Sequence, residues 1–547
     1  MHGFLGAHIN YIILEEERFM NKKRYLSMLL CMALILVGLL SGCGSKTADP
    51  DDGNKVTPSV SGKDDLEFME ISISHWNGDS AFSSDDEVLK TIKEKFNVDF
   101  VSQNITWDDH TQKLQLWAST DSLADISAAY IRDTTQMYSW ARDGVIRSLP
   151  SDLSAYPNLQ KYMEENTKEN CMVDGECYVI PKNVYLSQEE TVMERVILYR
   201  WDLAQQAGIT KEPANWDEFR EMLLAIMKAD PEGKNIGGMT APSMGYLGYP
   251  MLCYSVPNAC DDRWEKWNDT YVPAYFGGEN LGDNVLATWN LMRDMYTEGT
   301  IDPDLPISTL ELAQNKFLNG QAAALCVTSS IAATPSFGMD SSWKELYGNP
   351  MMDDCKILNL MPGANGETYY WSTSYSAAES IFSSHVDDKK MERILMIYDY
   401  LLSDEGIMLS KFGVEGESYE IVDGKLVADI DARNEKYPST LALANVVSWV
   451  LPLPNGYEND AGYDDWYDEW VPSYIEQAKA CKMPEYEPRC KSAFVQSGST
   501  LVISPSDDGL RIMTGTKPVE EMWKEILEEY KQDGLEDTIQ KVNDALK

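Results

Sequence analysis

The chain has 547 residues, with 46 Lys and Arg against 88 Asp and Glu, and a net charge of −42. A surface of that sign repels nucleic acid and anionic lipid, which excludes a nucleic-acid binder and a protein lying flat on a membrane. The length suffices for two lobes with separate cores, and because aromatic rings are core fillers first, most of the 15 Trp and 29 Tyr are structural.

Residues 1–19 add nothing to a targeting signal, and Glu15, Glu16, Glu17 and Arg18 read as a purine-rich ribosome-binding site translated into protein, so the expected start is Met20. Lys22, Lys23 and Arg24 then lead into an apolar run from Leu26 to Leu40. That run is short for a bilayer span and suits a signal-peptide core. Its end, "LSGC", resembles the bacterial lipobox, which implies that Cys43 is acylated and becomes the first residue of the mature chain. Residues 20–42 are thus expected to be a lipoprotein signal peptide. Residues 43–65, polar and rich in Ser, Gly, Asp and Pro, form a tether that cannot bury enough apolar area to fold.

Beyond the tether "LEFMEISISHW" alternates around Phe68, Ile71 and Ile73 as a strand, and "DDEVLKTIKEKF" places Val88, Leu89, Ile92 and Phe96 at helical spacing. "NVDFVSQNI" predicts a second strand, "DDHTQKLQLWAS" a helix and "LADISAAY" a third strand. Alternating strands and helices predict a parallel α/β sheet, whose ligands sit beyond the carboxyl ends of the strands. Further on, "VDGE" predicts a tight hairpin at Asp174 and Gly175. "RWDLAQQAGI" is a helix stopped by Gly208, and Asn215 caps the next, with Glu218 three residues on. Trp201 and Trp216 lie in these helices and are read as core. In "DDKKMERILMIYDYLLSDEG", Met391, Ile394, Leu395, Tyr398, Leu401 and Leu402 form one stripe.

Seven of these stretches follow a recognisable order. "LQLWASTDSLADI", "VDGECYVIP", "LYRWDLAQQAGITKEPANWDEF", "MYTEGTIDPD", "KFLNGQAAAL", "FGVEGESYEIVDGK" and "MTGTKPVEEMWKEI" each resemble a segment of the extracellular solute-binding proteins of ABC importers. The similarity is to their large, lipid-anchored, carbohydrate-binding branch (family 1) and covers nearly everything from Leu66 to Lys547. It implies an α/β, two-lobed periplasmic-binding-protein-like fold with a hinge and an interlobe ligand cleft. The lobes are expected at 66–185 and 376–440 for the first and 190–371 and 441–547 for the second, with crossings near Asn183 to Glu190 and Ser372 to Ser376. The implied partners are an oligosaccharide or another small solute, the permease subunits of an ABC transporter, and the cell membrane through the lipid anchor. The implied location is the extracellular face of a Gram-positive cell membrane. The same features suit a lipoprotein that presents ligand to a sensor, or a binder of peptides.

Sugar sites combine aromatic platforms with hydroxyl, amide and carboxylate partners. Trp76 and Asn77 follow the first strand, and Tyr130 and Arg132 the third. Tyr185 lies at the first crossing, Tyr370 and Trp371 near the second. Ser329 and Ser330 follow the "NGQAAALCV" strand, and "VVSWVLP" supplies Trp449. Trp466, Tyr467 and Trp470 have helical spacing and suit packing as well as a platform. Relatives bear a calcium loop after the "DEF" helix. Here it reads "DPEGKN", keeping Asp230, Glu232 and Asn235 as oxygen donors while Lys234 intrudes, so no cofactor is expected and calcium is the one weak candidate. Eight cysteines follow Cys43, and the close pairs Cys171/Cys177, Cys253/Cys260 and Cys481/Cys490 suggest local disulfides, with Cys326 and Cys355 left to pair; eight cysteines allow 105 pairings, and an anaerobe would keep them reduced. No Cys-x-x-Cys occurs, so zinc has little support. No nucleophile elbow, Walker loop, zinc-protease motif or dinucleotide fingerprint occurs. A glycosidase needs only two carboxylates, and nothing positive points to one; the expectation is a binding protein without catalysis.

Overall fold

The computed structural model describes residues 66–547 apart from 107–108, 133, 166–168, 257–262, 329–338, 373–375, 455–457, 461–464, 485–486 and 488. Cys43, the segments 1–19, 20–42 and 43–65, and Ser329 and Ser330 lie outside the described residues.

Alternating apolar residues make β1 (Met69–Ser74), where Ile71 and Ile73 are buried. Phe68, expected in the same strand, precedes it and is 60% exposed. The stripe of α1 (Glu87–Phe96) is buried, and Asp86 caps the helix by accepting the Leu89 N–H at 2.9 Å. β2 (Val98–Ser102), α2 (His110–Ser119), β3 (Ile126–Ala129) and β4 (Val179–Asn183) follow. Between β3 and β4, Asp174 and Gly175 take φ of 52° and 92° and turn a short hairpin.

The next strand, β5 (Val196–Arg200), leads to a helix ended by Gly208 at φ 89°. α3 (Trp216–Ala229) is capped by Asn215, whose side chain accepts the Glu218 N–H at 2.9 Å. Then come β6 (Gly237–Thr240), α4 (Met244–Leu252), β7 (Ala322–Val327) and β8 (Cys355–Ile357). β9 (Ser376–Phe382), α5 (Asp388–Leu401), α6 (Asp404–Phe412) and α7 (Thr440–Val446) precede the closing helices α8 (Asp465–Lys479), α9 (Arg489–Gln496), α10 (Pro505–Thr514) and α11 (Val519–Gln532).

The strands form two main sheets, β2-β1-β3-β9-β4 and β8-β5-β7-β6. In the first, β1 is parallel to β2 and β3, while β9 runs antiparallel to β3 and β4. In the second, β7 is parallel to β6 and antiparallel to β5. β3, β5 and β7 are buried along their whole length, as unbroken apolar runs in covered sheets should be. The chain leaves the first sheet at Asn183, enters the second at Val196, and rejoins the first at Ser376.

Two expectations are corrected. The second lobe does not resume at 441: Ala442, Leu443, Val446 and Val447 belong to the first core, and Tyr474 and Ala478 of α8 to the second. Periodicity in "TLALANVV" shows that the helix is buried but not against which sheet. The other correction concerns cysteines. Cys481 and Cys490 pack in different clusters, and Cys326 and Cys355 lie on strands separated by β5. All four are thiols. Cys171 and Cys177 meet across the hairpin as hydrogen-bonded thiols, and Cys260 lies outside the described residues. Spacing along the chain brings thiols near one another without fixing the geometry a disulfide needs.

The carboxyl end of α7 is held from two sides. Lys182, 1% exposed on β4, donates to the carbonyls of Asn445 at 3.0 Å and Val446. From α6, Lys411 donates to Ala444 at 2.8 Å, Ser448 at 3.2 Å and Trp449 at 2.9 Å. A helix end presents orphan carbonyls and partial negative charge, and two ammonium groups satisfy both. Burial, with the Arg433 charge nearby, pushes the Lys411 ammonium down to about 7. Because the folded value lies below that of the unfolded chain, the penalty for holding the charged form is full below about pH 7 and is relieved as pH rises toward about 10.4. Lys411→Met leaves the three carbonyls without donors and is expected to destabilise the chain by about 2–3 kcal/mol in urea unfolding at pH 7. The gap between wild type and variant should widen from pH 7 to pH 9; a gap that narrows contradicts the assignment.

Candidate functional site

The parallel strands β1 and β3 end side by side, and the residues that follow them build an aromatic nest. Trp76 is at its centre: His110 lies against it at 5.0 Å and 30°, Tyr130 at 5.5 Å, Trp449 at 5.8 Å, and His75 edge-on at 5.5 Å. Trp76 is 3% exposed, so the ring expected as an open platform is the foundation of one. The presented surface is Tyr130, 43% exposed, with Trp449 half-buried and Asn77 exposed. Asn77 sits at φ 61°, a left-handed conformation that asparagine tolerates and that turns the chain back after β1.

Backbone bonds set the nest. Trp449 and Val450 donate their N–H groups to Asn183 O at 3.1 and 3.0 Å, so the end of β4 positions the indole that α7 delivers. His110 Nε2 lies 3.0 Å from Ala128 O; since a carbonyl only accepts, the proton is on Nε2. Burial lowers the basicity of His110, and that of His75 is pushed down to about 3 by burial and the Lys182 charge, so both rings are neutral surfaces.

Beneath the nest lies a buried carboxylate. Glu379 on β9, 1% exposed, accepts the backbone N–H groups of Ile131 and Arg132. Burial pushes it up to about 7, against the pull of Arg132 and Lys182. The Arg132 guanidinium donates to the Ser376 hydroxyl and, at 2.8 Å, to the Ser376 carbonyl. Arg132 therefore ties the end of β3 to the start of β9, and is only partly open to solvent. Burial and the Glu379 charge keep the Tyr130 phenol protonated, a hydrogen-bond donor.

The second sheet presents a matching edge. Tyr246 and Tyr249 on α4 follow the carboxyl end of β6, Thr328 follows β7, and Arg195 precedes β5 at the same edge. Trp371 stacks on Tyr249 at 5.4 Å and 13°. Arg195 lies 4.3 Å from the Tyr246 ring and 5.1 Å from the Trp371 ring, and donates to Glu194 and to Thr328 at 2.8 Å. Two other candidates are buried. Tyr185, 1% exposed, donates its hydroxyl to Glu194, and Tyr370, 4% exposed, packs in the same core and has its hydroxyl 3.5 Å from Gln188 O. Tyr185 is a packing residue at the first crossing, while Tyr370 also lines a cavity with Arg195 and Trp371. Trp470 tilts on Tyr474 at 5.1 Å, a packing role; the side chains of Trp466 and Tyr467 lie outside the described residues.

Sequence reasoning missed Tyr246, Tyr249 and Arg195, although the strand-end rule that found Trp76 would have found the tyrosines in "MTAPSMGYLGY". No comparable signal marked Glu379 or Lys182, since a lone charge in an apolar strand reads equally as an edge residue.

The weak calcium candidate does not fit a cation. The Asp230 carboxylate accepts the backbone N–H groups of Lys234 at 3.0 Å, Asn235 at 3.1 Å and Ile236 at 3.3 Å. Glu232 pairs with Lys234 at 2.7 Å and with Arg200 at 3.0 Å. The oxygens are spent on donors from the chain itself, and among the described residues no group of three His, Cys, Asp or Glu is arranged to hold a metal.

Residues 87–345 match the family described as bacterial extracellular solute-binding protein, which bears out over that stretch the resemblance to solute-binding proteins read from the motifs. Lipoprotein LipO of Bacillus subtilis is 23% identical over 308 residues, 55% of this chain and 56% of the relative, so the chain spans little more than half of that protein. Among solved structures, an EF-hand mutant of the Streptococcus pneumoniae ABC-transporter substrate-binding protein FusA in complex with fructo-nystose has a TM-score of 0.64 at 15% identity, covering 88% of this chain and 98% of that one. An HMO-binding, ABC-transporter-associated solute-binding protein from Bifidobacterium longum infantis has a TM-score of 0.65 at 14% identity, covering 87% and 98%. These likenesses are of fold, and the fold is α/β and two-lobed.

Because Lys234 and Arg200 neutralise the loop from within, about 1 mM calcium or an excess of chelator should move the melting temperature by less than about 1 °C, where a bound ion at 100 times its Kd would add about 2.7 kcal/mol. A calcium-dependent rise of several degrees would overturn this reading of the loop.

Proposed function

We propose, from the premise that residues 87–345 are those of a bacterial extracellular solute-binding protein, that the chain captures an oligosaccharide between its sheets and delivers it to the membrane subunits of an ABC importer. One observation supports this above the rest: aromatic walls stand at the carboxyl edges of both sheets, Tyr130 and Trp449 on one and Tyr249 and Trp371 on the other. Pyranose rings offer weakly apolar C–H faces to such walls, while the Tyr130 phenol, Asn77 and Thr328 supply partners for hydroxyl edges. The solved relatives with this fold include proteins described as binding fructo-nystose and HMO, which is consistent with a glycan.

Nothing in this reading requires catalysis. A ligand that touches both walls binds the closed shape better than the open one, and that difference in affinity is what a permease senses. Anchoring follows from the lipobox: acylated Cys43 and the polar tract to residue 65 would tether the lobes on the outer face of a Gram-positive membrane. LipO, a lipoprotein by name, agrees with it.

A thermal-shift screen of the mature chain against a glycan panel should give a rise for at least one oligosaccharide, and none with peptides. Peptides alone raising the melting temperature would defeat the sugar reading. Trp449→Ala should weaken the best glycan at least tenfold, about 1.4 kcal/mol, in calorimetry; unchanged affinity would remove Trp449 from the wall. Cys43→Ser should move the protein from the membrane fraction to the medium.

A further inference from the structure

Among the described residues, five positive groups along the two carboxyl edges are already committed. Arg132 holds Ser376, and Lys182 and Lys411 hold the carbonyls at the end of α7. Lys113, beside the first wall, pairs with Asp109 at 2.8 Å and donates to Asn104 O at 2.8 Å. Arg195, the cation nearest the second wall, carries the Glu194 carboxylate on its guanidinium and has rings against it from Tyr246 and Trp371. The chain around them has a net charge of −42.

We propose, resting on the sugar-binding reading above, that the cleft selects electrically neutral oligosaccharides and rejects those bearing uronate or sulfate groups. A carboxylate entering between aromatic walls loses its hydration and needs a cation or several donors to replace it. None of the groups named above is spare, and Glu379 beneath the first wall adds repulsion whenever it is ionised. Neutral hydroxyls meet no such penalty, because neutral donors and acceptors suffice for them. Selectivity thus arises from what the walls withhold as much as from what they offer.

Glu194 is the decisive residue, since it alone among these partners is a carboxylate neutralising a guanidinium at the wall. Glu194→Gln keeps an amide oxygen to accept from Arg195 and an NH2 that can donate to the Tyr185 hydroxyl oxygen, while removing the negative charge. Calorimetry on the mature chain would use neutral tetrasaccharides together with tetragalacturonate and tetramannuronate. The best neutral probe should bind at least about 100-fold tighter than either uronate, with its Kd changing less than about twofold between about 20 and about 500 mM NaCl. In Glu194→Gln the affinity for the uronates relative to the neutral probe should rise about tenfold. A uronate binding the wild type as tightly as the best neutral probe overturns the proposal and leaves the sugar reading standing. No gain in the variant overturns the role given to Glu194. If no saccharide of either kind binds and another solute does, the sugar reading fails, and the charge selectivity falls with it.

Discussion

The carboxyl end of α7 is the point on which the architecture turns. Two lysines from separate elements, Lys182 on β4 and Lys411 on α6, donate to the carbonyls of Ala444, Asn445, Val446, Ser448 and Trp449. Neither hydrogen-bonds a carboxylate through its ammonium: the compensation is the helix end itself, whose oriented carbonyls act as a partial negative charge. The arrangement fixes where β4 ends, and through the bonds from Trp449 and Val450 to Asn183 O it places one ring of the cleft wall at the point where the chain departs for the second sheet. Hinge, wall and core of the first lobe therefore share one set of hydrogen bonds. A change that relieves the buried ammonium groups would loosen all three together.

Fold class was legible because it rests on periodicity. Alternating and helical spacing located β1, α1, β3, α3 and α5 with their buried faces, and caps such as Asn215 and the turn at Asp174 and Gly175 stood where local chemistry requires them. The partner of a buried face was less legible. Whether α7 packs on the first or the second sheet depends on side chains of other elements, Lys182 among them 263 residues away, and the expected boundary at 441 failed for that reason. Within the wall, position after a strand identified Trp76 and Tyr130, yet did not distinguish the ring that is presented from the ring that supports it. That distinction comes from His110 and Trp449, which reach Trp76 from elsewhere in the chain and cover it.

The same limit applies to charge. Lys234 looked from sequence like an intruder in a cation loop, and the structure makes it the cation: its ammonium and the Arg200 guanidinium share Glu232, and its Nζ lies 5.6 Å from the Tyr347 ring. Arg200 in turn lies against the stacked pair Trp343 and Tyr347, 4.9 and 5.0 Å from their rings, and pairs with Asp202 at 2.6 Å. A buried charge network of this kind contributes little net stability over an apolar core, since desolvation offsets attraction. What it supplies is geometry: it joins the loop after α3 to the helix that carries Trp343 without needing an ion from solution.

Closure of the lobes is constrained from a third direction. α9 touches both: Phe494 packs on the second core, Val495 on the first, and the Gln496 amide lies 3.5 Å from the Tyr138 hydroxyl. Opening must either break the contact of Val495 or carry α9 away with one lobe. In the proposed capture of a saccharide, ligand contact with both walls would add to this link. Tyr130 and Trp449 on one sheet and Tyr249 and Trp371 on the other would be those contacts, because a single saccharide would meet both pairs only when the edges face each other.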